Sequence, residues 1–355
     1  MTLTAGPVTV AVPGDLHLTT RDQPNFQHAL AVVEQINRLV CPDFVQFIGD
    51  NVQDALPEQF ELFQELSAKL QAPYFALVGD HDICADHQAT QFRKFVGEPY
   101  GSCSIKGLRF VRLNTLEVGR LGFSSTQLDW LAAELEQARF ENERVVLFQH
   151  HYPYKVCEDF SGPGIDRWRI LIETYRPTAV ICGHTHYGQI ANNGQNLAIT
   201  TRSIGDPEGG AAGYLLIQLE NDDLSLCYRT IEDVGPIVLI THPRDSLLAT
   251  DGRHVVAAQT EVRVRVWSDE IITSVVGSVD EGDSFEMCSP SASQGVWTSP
   301  LDATNLSKGE HLLGVRASSS DGGSGEHHVH FIVDRTGRYT GIPRVRPDVQ
   351  TTAYC

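Results

Sequence analysis

Five clusters of Asp and His, each placed where an apolar run ends, constrain this chain more than any other feature. VTVAV (8–12) runs into Gly14-Asp15-Leu16-His17, DFVQFIG (43–49) into Gly49-Asp50-Asn51, and PYFALVG (73–79) into Gly79-Asp80-His81-Asp82. RVVLF (144–148) leads to Gln149-His150-His151-Tyr152-Pro153, and TAVIC (178–182) to Gly183-His184-Thr185-His186. Amphipathic stretches at 24–40, 57–70, around 125–138 and around 165–175 separate the runs, and Pro24 suits a helix's first turn. Strands alternating with helices imply an α/β core with a largely parallel sheet. Ligands gather at the carboxyl edge of such sheets, so clusters far apart in sequence become neighbours in space.

The residue types speak for divalent metal. Asp oxygens and neutral His nitrogens suit Zn, Mn, Fe or Ni, and the lack of Cys among them argues against a structural zinc cage. Period-two alternation in an extended segment would put both ligands of Asp15-Leu16-His17, and of His184-Thr185-His186, on one side. The glycines allow sharp backbone turns beside the ions. A carboxylate such as Asp50 can bridge two ions, and two ions roughly 3.5–4 Å apart clamp the attacking and leaving oxygens of a phosphoryl displacement. A lone GDxH or GHxH is an ordinary turn with a satisfied His; five such clusters on five strand ends are not.

In order and spacing these clusters resemble the calcineurin-like metallophosphoesterases, whose motifs run D-x-H, G-D-x-x-D, G-N-H-D/E, H and G-H-x-H. The resemblance covers roughly residues 7–232 and implies a four-layer αββα sandwich. It also implies two divalent transition-metal ions (Mn, Fe or Zn). Carried over by position, Asp15, His17 and His186 would hold one ion, Asp50 would bridge, and Asp80, His150 and His184 would hold the other. His81 would be the catalytic histidine, with Asp82 orienting it. Small cytosolic members most like this chain act on cyclic nucleotides or glycerophosphodiesters, so the resemblance implies hydrolysis of a small phosphodiester by a metal-bound hydroxide. Phosphomonoesters, nucleotide pyrophosphates and phosphoproteins are the alternative substrates, and an inactive metal-binding scaffold is the alternative of another class.

Three departures stand out. Asp80 replaces the usual Asn, and an anionic oxygen there should tighten metal binding while lowering the site's positive charge. Gln53 occupies the last position of G-D-x-x-D, with Asp54 one later. In His150-His151-Tyr152-Pro153, strand position points to His150 as ligand and the distance to Pro153 points to His151.

Near residue 235 the pattern changes. EVRVRVW, ITSVVGSV, GVWTSPL, EHLLGVRAS and EHHVHFIVD alternate without a convincing helix, implying a small immunoglobulin-like or fibronectin-like β-sandwich. The expected division is 1–234 catalytic, 235–335 all-β sandwich and 336–355 a tail or strap. Trp267 and Trp297 read as sandwich core, and His327, His328 and His330 as an exposed strand face rather than a metal site. Arg202 is a candidate for contacting a substrate phosphate, and Lys155 a candidate for shaping specificity.

Formal net charge is −18. Before residue 235 there are 17 basic against 30 acidic residues, and from there on 10 against 15. So acidic a chain is a poor partner for nucleic-acid polymers or anionic membranes. The eight cysteines form no CxxC pair, no run of 18 apolar residues occurs, and the N-terminus enters a strand without a leader-like pattern. The expectation is a cytoplasmic, reduced protein acting on a small phosphate ester, its oligomeric state open. No P-loop or Rossmann glycine pattern is present.

Overall fold

Along β1 (Val8–Val12), Val8, Val10 and Val12 face one apolar core and Ala11 faces another. A strand buried on both faces belongs to a sheet covered on each side. This computed structural model of the protein describes residues 6–155, 159–208, 210–220, 222–280, 282–291, 295–338 and 344–347.

After β1 comes α1 (Pro24–Gln35), extended by one wider helical turn over Ile36–Val40, so the helical stretch covers the whole of 24–40. β2 (Phe44–Phe47), α2 (Pro57–Ser67), β3 (Tyr74–Ala76) and the short α3 (Thr90–Phe95) follow. A hairpin of β4 (Gly101–Ile105) and β5 (Leu108–Arg112) is an element that the apolar pattern did not single out. Next are α4 (Ser125–Glu141), capped by the Ser124 hydroxyl, then β6 (Arg144–Phe148), α5 (Ile165–Tyr175) and β7 (Ala179–Cys182). β8 (Gln189–Asn192), β9 (Leu197–Thr200), β10 (Gly213–Glu220) and β11 (Asp223–Thr230) complete this part.

The strands form two sheets rather than one. The first has the order β11-β10-β1-β2-β3, with β1, β2 and β3 parallel. In the second, β9, β7, β6 and β5 run parallel, flanked by β8 and β4. Val10, Val12, Phe44 and Ile217 of the first meet Phe110, Phe148, Ile181 and Ile199 of the second. Outside them, Val33 and Phe60 seal α1 and α2 on the first sheet, and Leu131 and Trp168 seal α4 and α5 on the second. The architecture is therefore a four-layer αββα sandwich.

The C-terminal region is all β: β12 (Ile237–His242), β13 (Val255–Val256), β14 (Gln259–Trp267), β15 (Ile272–Val279), β16 (Phe285–Glu286), β17 (Cys288–Ser291), β18 (Val296–Asp302), β19 (Gly309–Ser319) and β20 (Ser324–Val333). Two sheets, β12-β14-β18-β17 and β13-β20-β19-β15-β16, enclose Val262, Val264, Val266, Leu313, Val315 and Phe331. A last strand, β21 (Arg344–Pro347), pairs antiparallel with β8 at the edge of the second sheet. The other residues of 339–355 lie outside the described set. Among the described residues no helix is long and apolar enough to cross a membrane.

Two expectations for this region are corrected. Trp267 is not in the sandwich core. It follows Val266 by one residue and so takes the opposite face of β14, where it joins Ile237 and Leu239 in the cluster beneath α1 and α2. Trp297 is half-buried against the sandwich core. His327 is not on an exposed face either. Its Nε2 donates to the Leu226 carbonyl (3.1 Å) and its Nδ1 accepts the Ile240 N–H (3.2 Å), joining β11 to β12. His328 is exposed and His330 half-buried.

Candidate metal centre

The loops leaving β1, β2, β3, β6 and β7 converge at the carboxyl edges of the parallel strands. Backbone bonds zip the first two together: Asp15 N–H to Gly49 O (3.2 Å), His17 N–H to Asp50 O (2.9 Å) and Leu18 N–H to Asn51 O (3.3 Å). The Asp-x-His and His-x-His pairs are not extended, contrary to the period-two reading. Asp15, His17, Asp50, His184 and His186 all have left-handed φ, at 51°, 46°, 49°, 69° and 61°. Each such residue costs on the order of 1–3 kcal/mol and persists only where the surroundings over-determine it. Strain gathered on these five residues marks the region as built for something other than stability.

Close approach also explains the glycines. A Cβ on Gly49, whose φ is +106°, would sit 2.4 Å from His150 Nδ1, and one on Gly79 would sit 2.2 Å from Asp50 Oδ1.

The site residues form overlapping groups. Donor atoms of Asp15, His17, Asp50 and His186 lie within 4.8 Å of one another, as do those of Asp80, His150 and His184, and those of Asp50, Asp80 and His81. His17 Nε2 is 3.2 Å from His186 Nε2 and 3.8 Å from Asp50 Oδ2. His150 Nε2 is 3.0 Å from Asp80 Oδ1 and 3.4 Å from Asp50 Oδ2, and His184 Nδ1 is 3.2 Å from Asp80 Oδ1. Asp50, buried, thus lies between the two sets. Of the neighbouring pair, His150 is in the Asp80 set. His151 instead places Nδ1 2.8 Å from the Thr115 hydroxyl, with its ring 4.4 Å from that of His184.

Remote ring nitrogens are tied down. His150 Nδ1 donates to the Ile48 carbonyl (2.9 Å) and His17 Nδ1 to the Gln53 side-chain oxygen (3.0 Å), which turns Nε2 of each inward. Such outer partners fix tautomer and orientation of metal-ligating histidines. Gln53 therefore makes an outer contact at the position where the family motif has Asp.

The donor set fits a cation. Asp15 Oδ1 accepts the His184 N–H (2.9 Å), but its Oδ2 is buried without a hydrogen-bond partner. An ionised oxygen so placed is unfavourable unless positive charge faces it. Burial pushes the Asp80 carboxyl up, yet the His150 and His184 hydrogen bonds outweigh this and hold it well below the usual carboxylate range. Burial lowers His150, but Asp50 and Asp80 carry it well above an ordinary imidazole.

His81 and Asp82 are not partners. The His81 N–H donates to Asp50 Oδ1 (2.9 Å) and its Nδ1 to the Gln53 carbonyl (2.9 Å). Asp82 turns away from that ring. Its carboxylate accepts from Gly79 N–H (2.9 Å), Asn51 N–H (2.9 Å), Val52 N–H (3.1 Å) and Asn51 Nδ2 (2.8 Å). It locks the second and third loops together instead of orienting His81. Burial beside Asp50 pushes its carboxyl up to about 7, against the pull of those N–H groups.

Two further candidates make contacts of their own, and other residues were missed. The Arg202 guanidinium lies over the Tyr228 ring, 5.8 Å from its centre. Lys155 pairs with Asp159 at 3.1 Å. Asp206 and Glu208, unmarked by any cluster in the sequence, come within reach of His186, with Glu208 Oε2 3.9 Å from its Nδ1. Thr115 had no signal at all, since its partner His151 is 36 residues away.

The calcineurin-like phosphoesterase family matches residues 8–188, which hold all five clusters. The chain belongs to this family. Among the relatives of this calcineurin-like phosphoesterase, the probable glycerophosphodiester phosphodiesterase GpdQ of Arcobacter nitrofigilis is 30% identical over 158 residues, 41% of this chain and 57% of the relative. A probable cyclic nucleotide phosphodiesterase of Synechococcus sp. is 26% identical over 242 residues, 62% of this chain and 89% of the relative. Tartrate-resistant acid phosphatase type 5 of Mus musculus is 27% identical over 215 residues, 49% of this chain and 63% of the relative. The chain spans less than two thirds of the first and third of these. In fold it is similar to a dimetal phosphatase from Danio rerio (TM-score 0.50, 14% identity, 63% of this chain and 96% of that one). It is likewise similar to the purple acid phosphatase PPD1 of yellow lupin (TM-score 0.51, 13% identity, 64% and 52%). Metal-dependent hydrolysis of phosphoric esters is the chemistry of this family.

Proposed function

We propose that this calcineurin-like phosphoesterase hydrolyses a small phosphodiester at a two-metal centre. Asp15, His17 and His186 would hold one ion and Asp80, His150 and His184 the other, with Asp50 placed to serve both. The observation that carries the reading is the placement of Asp50 between two separate sets of inward-facing ligands, with Asp15 Oδ2 buried and unpartnered. Mn, Fe or Zn suits these oxygen and nitrogen donors. When bound, such ions supply charge neutralisation and a water nucleophile active near neutral pH. The residues do the rest. Gln53 and Ile48 hold the imidazoles in register, and Asp82 keeps two ligand loops at fixed spacing. His81, with Nδ1 on the Gln53 carbonyl, presents Nε2 to protonate the leaving oxygen.

Small diesters lead because two relatives bear phosphodiesterase names, and monoesters or nucleotide pyrophosphates are the alternatives at the same site. Asp80, an anionic residue where the family has a neutral amide, favours a second reading: a metal-binding scaffold without turnover. A chromogenic diester assay with added Mn separates them, alongside a screen of cyclic nucleotides, glycerophosphodiesters and monoesters. Turnover that disappears in His81→Ala upholds the enzyme. Two bound metals without turnover on any ester uphold the scaffold.

The same reading assigns 1–234 to the catalytic unit, 235–335 to an immunoglobulin-like sandwich and 336–355 to a tail whose strand β21 straps β8. The sandwich's own apolar core supports the division, with Ile237, Leu239 and Trp267 packing across it onto the first unit, and limited proteolysis near residue 235 tests it. Free thiols at Cys41, Cys84, Cys103, Cys182, Cys227 and Cys288 suit the cytoplasm, which cell fractionation would check.

A further inference from the structure

We propose that the calcineurin-like phosphoesterase carries a second anion site, for a small ligand bearing a diphosphate, in an arginine-lined cavity at the edge of the sheets opposite the metal centre. Arg144 opens β6 and His150 lies just past its end. Six residues at about 3.3 Å each put them roughly 20 Å apart. The cavity has a volume of about 820 Å³, the size of a small-molecule pocket, and is lined by Lys106, Arg139, Arg144, Arg176, Arg244 and Arg253. Six cations in one cavity run against the −18 charge of the chain.

The local carboxylates do not use up this charge. Glu143 is occupied, accepting from Arg109 Nε (2.8 Å) and the Ser104 hydroxyl (3.0 Å). Asp222, 71% exposed, stays 3.9 Å from Arg144 Nε and 3.2 Å from Arg253 Nη1. Asp251 binds Arg253 closely but reaches Arg244 only at 3.4 and 3.5 Å, and Asp223 is 3.8 Å from Arg244. Lys106 is spent on Asp43 (2.8 Å). Arg139 and Arg176, exposed, pair with no carboxylate among the described residues.

Two arginines point to a ligand. The Arg244 side chain is 3% exposed and its Nε is buried without a partner, as is Arg144 Nη1. Burial lowers the pKa of both guanidiniums, with the nearby carboxylates only partly offsetting it. A planar guanidinium with unmade N–H bonds matches the oxygens of a phosphoryl group. Arg139, Arg176 and the unmade N–H groups of Arg144 and Arg244 together exceed what one phosphate needs, hence a diphosphate. Leu135, Val145 and Leu219 add apolar wall for an organic portion. The site is composite: Arg244 and Arg253 come from the segment between β12 and β14, which is anchored on β8 where Asn192 Nδ2 donates to the Leu247 (2.9 Å) and Ala249 (2.8 Å) carbonyls.

The test is calorimetric titration of the full chain, stripped of metal with a chelator so that the catalytic centre does not compete, with pyrophosphate and separately with ADP. Binding at submillimolar or lower concentration is expected. It should weaken at least tenfold in Arg144→Gln and in the exposed-site double variant Arg139→Ser/Arg176→Ser, and stay unchanged in Lys69→Ser. The double variant keeps the test decisive where Arg144→Gln disturbs folding. Tighter binding of ADP identifies a nucleotide-bearing ligand, and equal binding an inorganic one. No binding of either, or equal affinity in wild type and both arginine variants, overturns the site. Neither result bears on the metal centre.

Discussion

The side-chain oxygen of Gln53 lies 3.0 Å from Nδ1 of His17. A neutral amide therefore holds an imidazole that faces Asp50 and His186. Removing an outer partner of a ligand typically lowers metal affinity 10–100-fold. Gln53→Ala should do so, and Gln53→Glu should keep or strengthen binding because a carboxylate makes the ring more basic. Chelator competition followed by metal analysis reads both. Unchanged retention in Gln53→Ala would show that the contact orients nothing.

Asp80→Asn removes a charge that accepts from both His150 and His184. Loss of one charge-assisted contact, worth about 1.4 kcal/mol, corresponds to roughly tenfold weaker metal retention. With less negative charge facing an anionic ester, KM should fall at saturating metal. Tighter metal binding in the variant would contradict the role given to this carboxylate.

Gly49 has no room for a side chain. At φ +106°, with the Cβ position 2.4 Å from His150 Nδ1, Gly49→Ala must either move the ring off the Ile48 carbonyl or shift the loop. Strain and displacement together put the loss at roughly 2–4 kcal/mol. Urea unfolding should show it, and metal content should fall with it. Wild-type stability would mean that the loop relaxes freely.

The convergence of the Asp and His clusters was legible in the sequence because each follows a strand, and strand ends of a parallel sheet meet. What lay hidden depends on which way a side chain turns in three dimensions. Asp82 is adjacent to His81 in the chain but hydrogen-bonds Gly79, Asn51 and Val52, because the turn at His81–Ile83 points it back into the protein. Trp267 carries the right residue type for a core and lies in a different one, since a single step along β14 changes face. The left-handed geometry of Asp15 and His17 leaves no mark on composition, and the two-sheet arrangement came from family resemblance rather than periodicity.

His327 gives a pH dependence of known sign. Burial pulls its imidazole down to about 4 from 6.5, so between those values the unfolded chain holds more proton than the folded one. Its contribution to stability is complete above pH 6.5 and is lost as pH falls toward 4. The ceiling is about 3 kcal/mol, less for a ring that keeps some solvent contact. In His327→Gln the amide can still accept from Ile240 and donate to Leu226 but cannot titrate. The difference in unfolding free energy between pH 7 and pH 5 should therefore be smaller in the variant than in wild type. Equal slopes would mean that this ring titrates normally.

Asp82→Asn separates a loop-positioning role for Asp82 from the catalytic role proposed for its neighbour His81. Four N–H donors converge on the carboxylate, and an amide offers one oxygen and a donor in place of the second. At least one N–H then faces another N–H in a dry site, a cost of roughly 1–3 kcal/mol for each unsatisfied group. The His81 ring keeps its bond to Gln53, so the pH profile of turnover should hold its shape while stability and metal retention decline together. His81→Ala should do the reverse, abolishing turnover with metal content intact. If Asp82→Asn instead shifted the pH profile and left unfolding unchanged, Asp82 would be acting through His81, and the loop-locking role assigned to it here would have to be withdrawn.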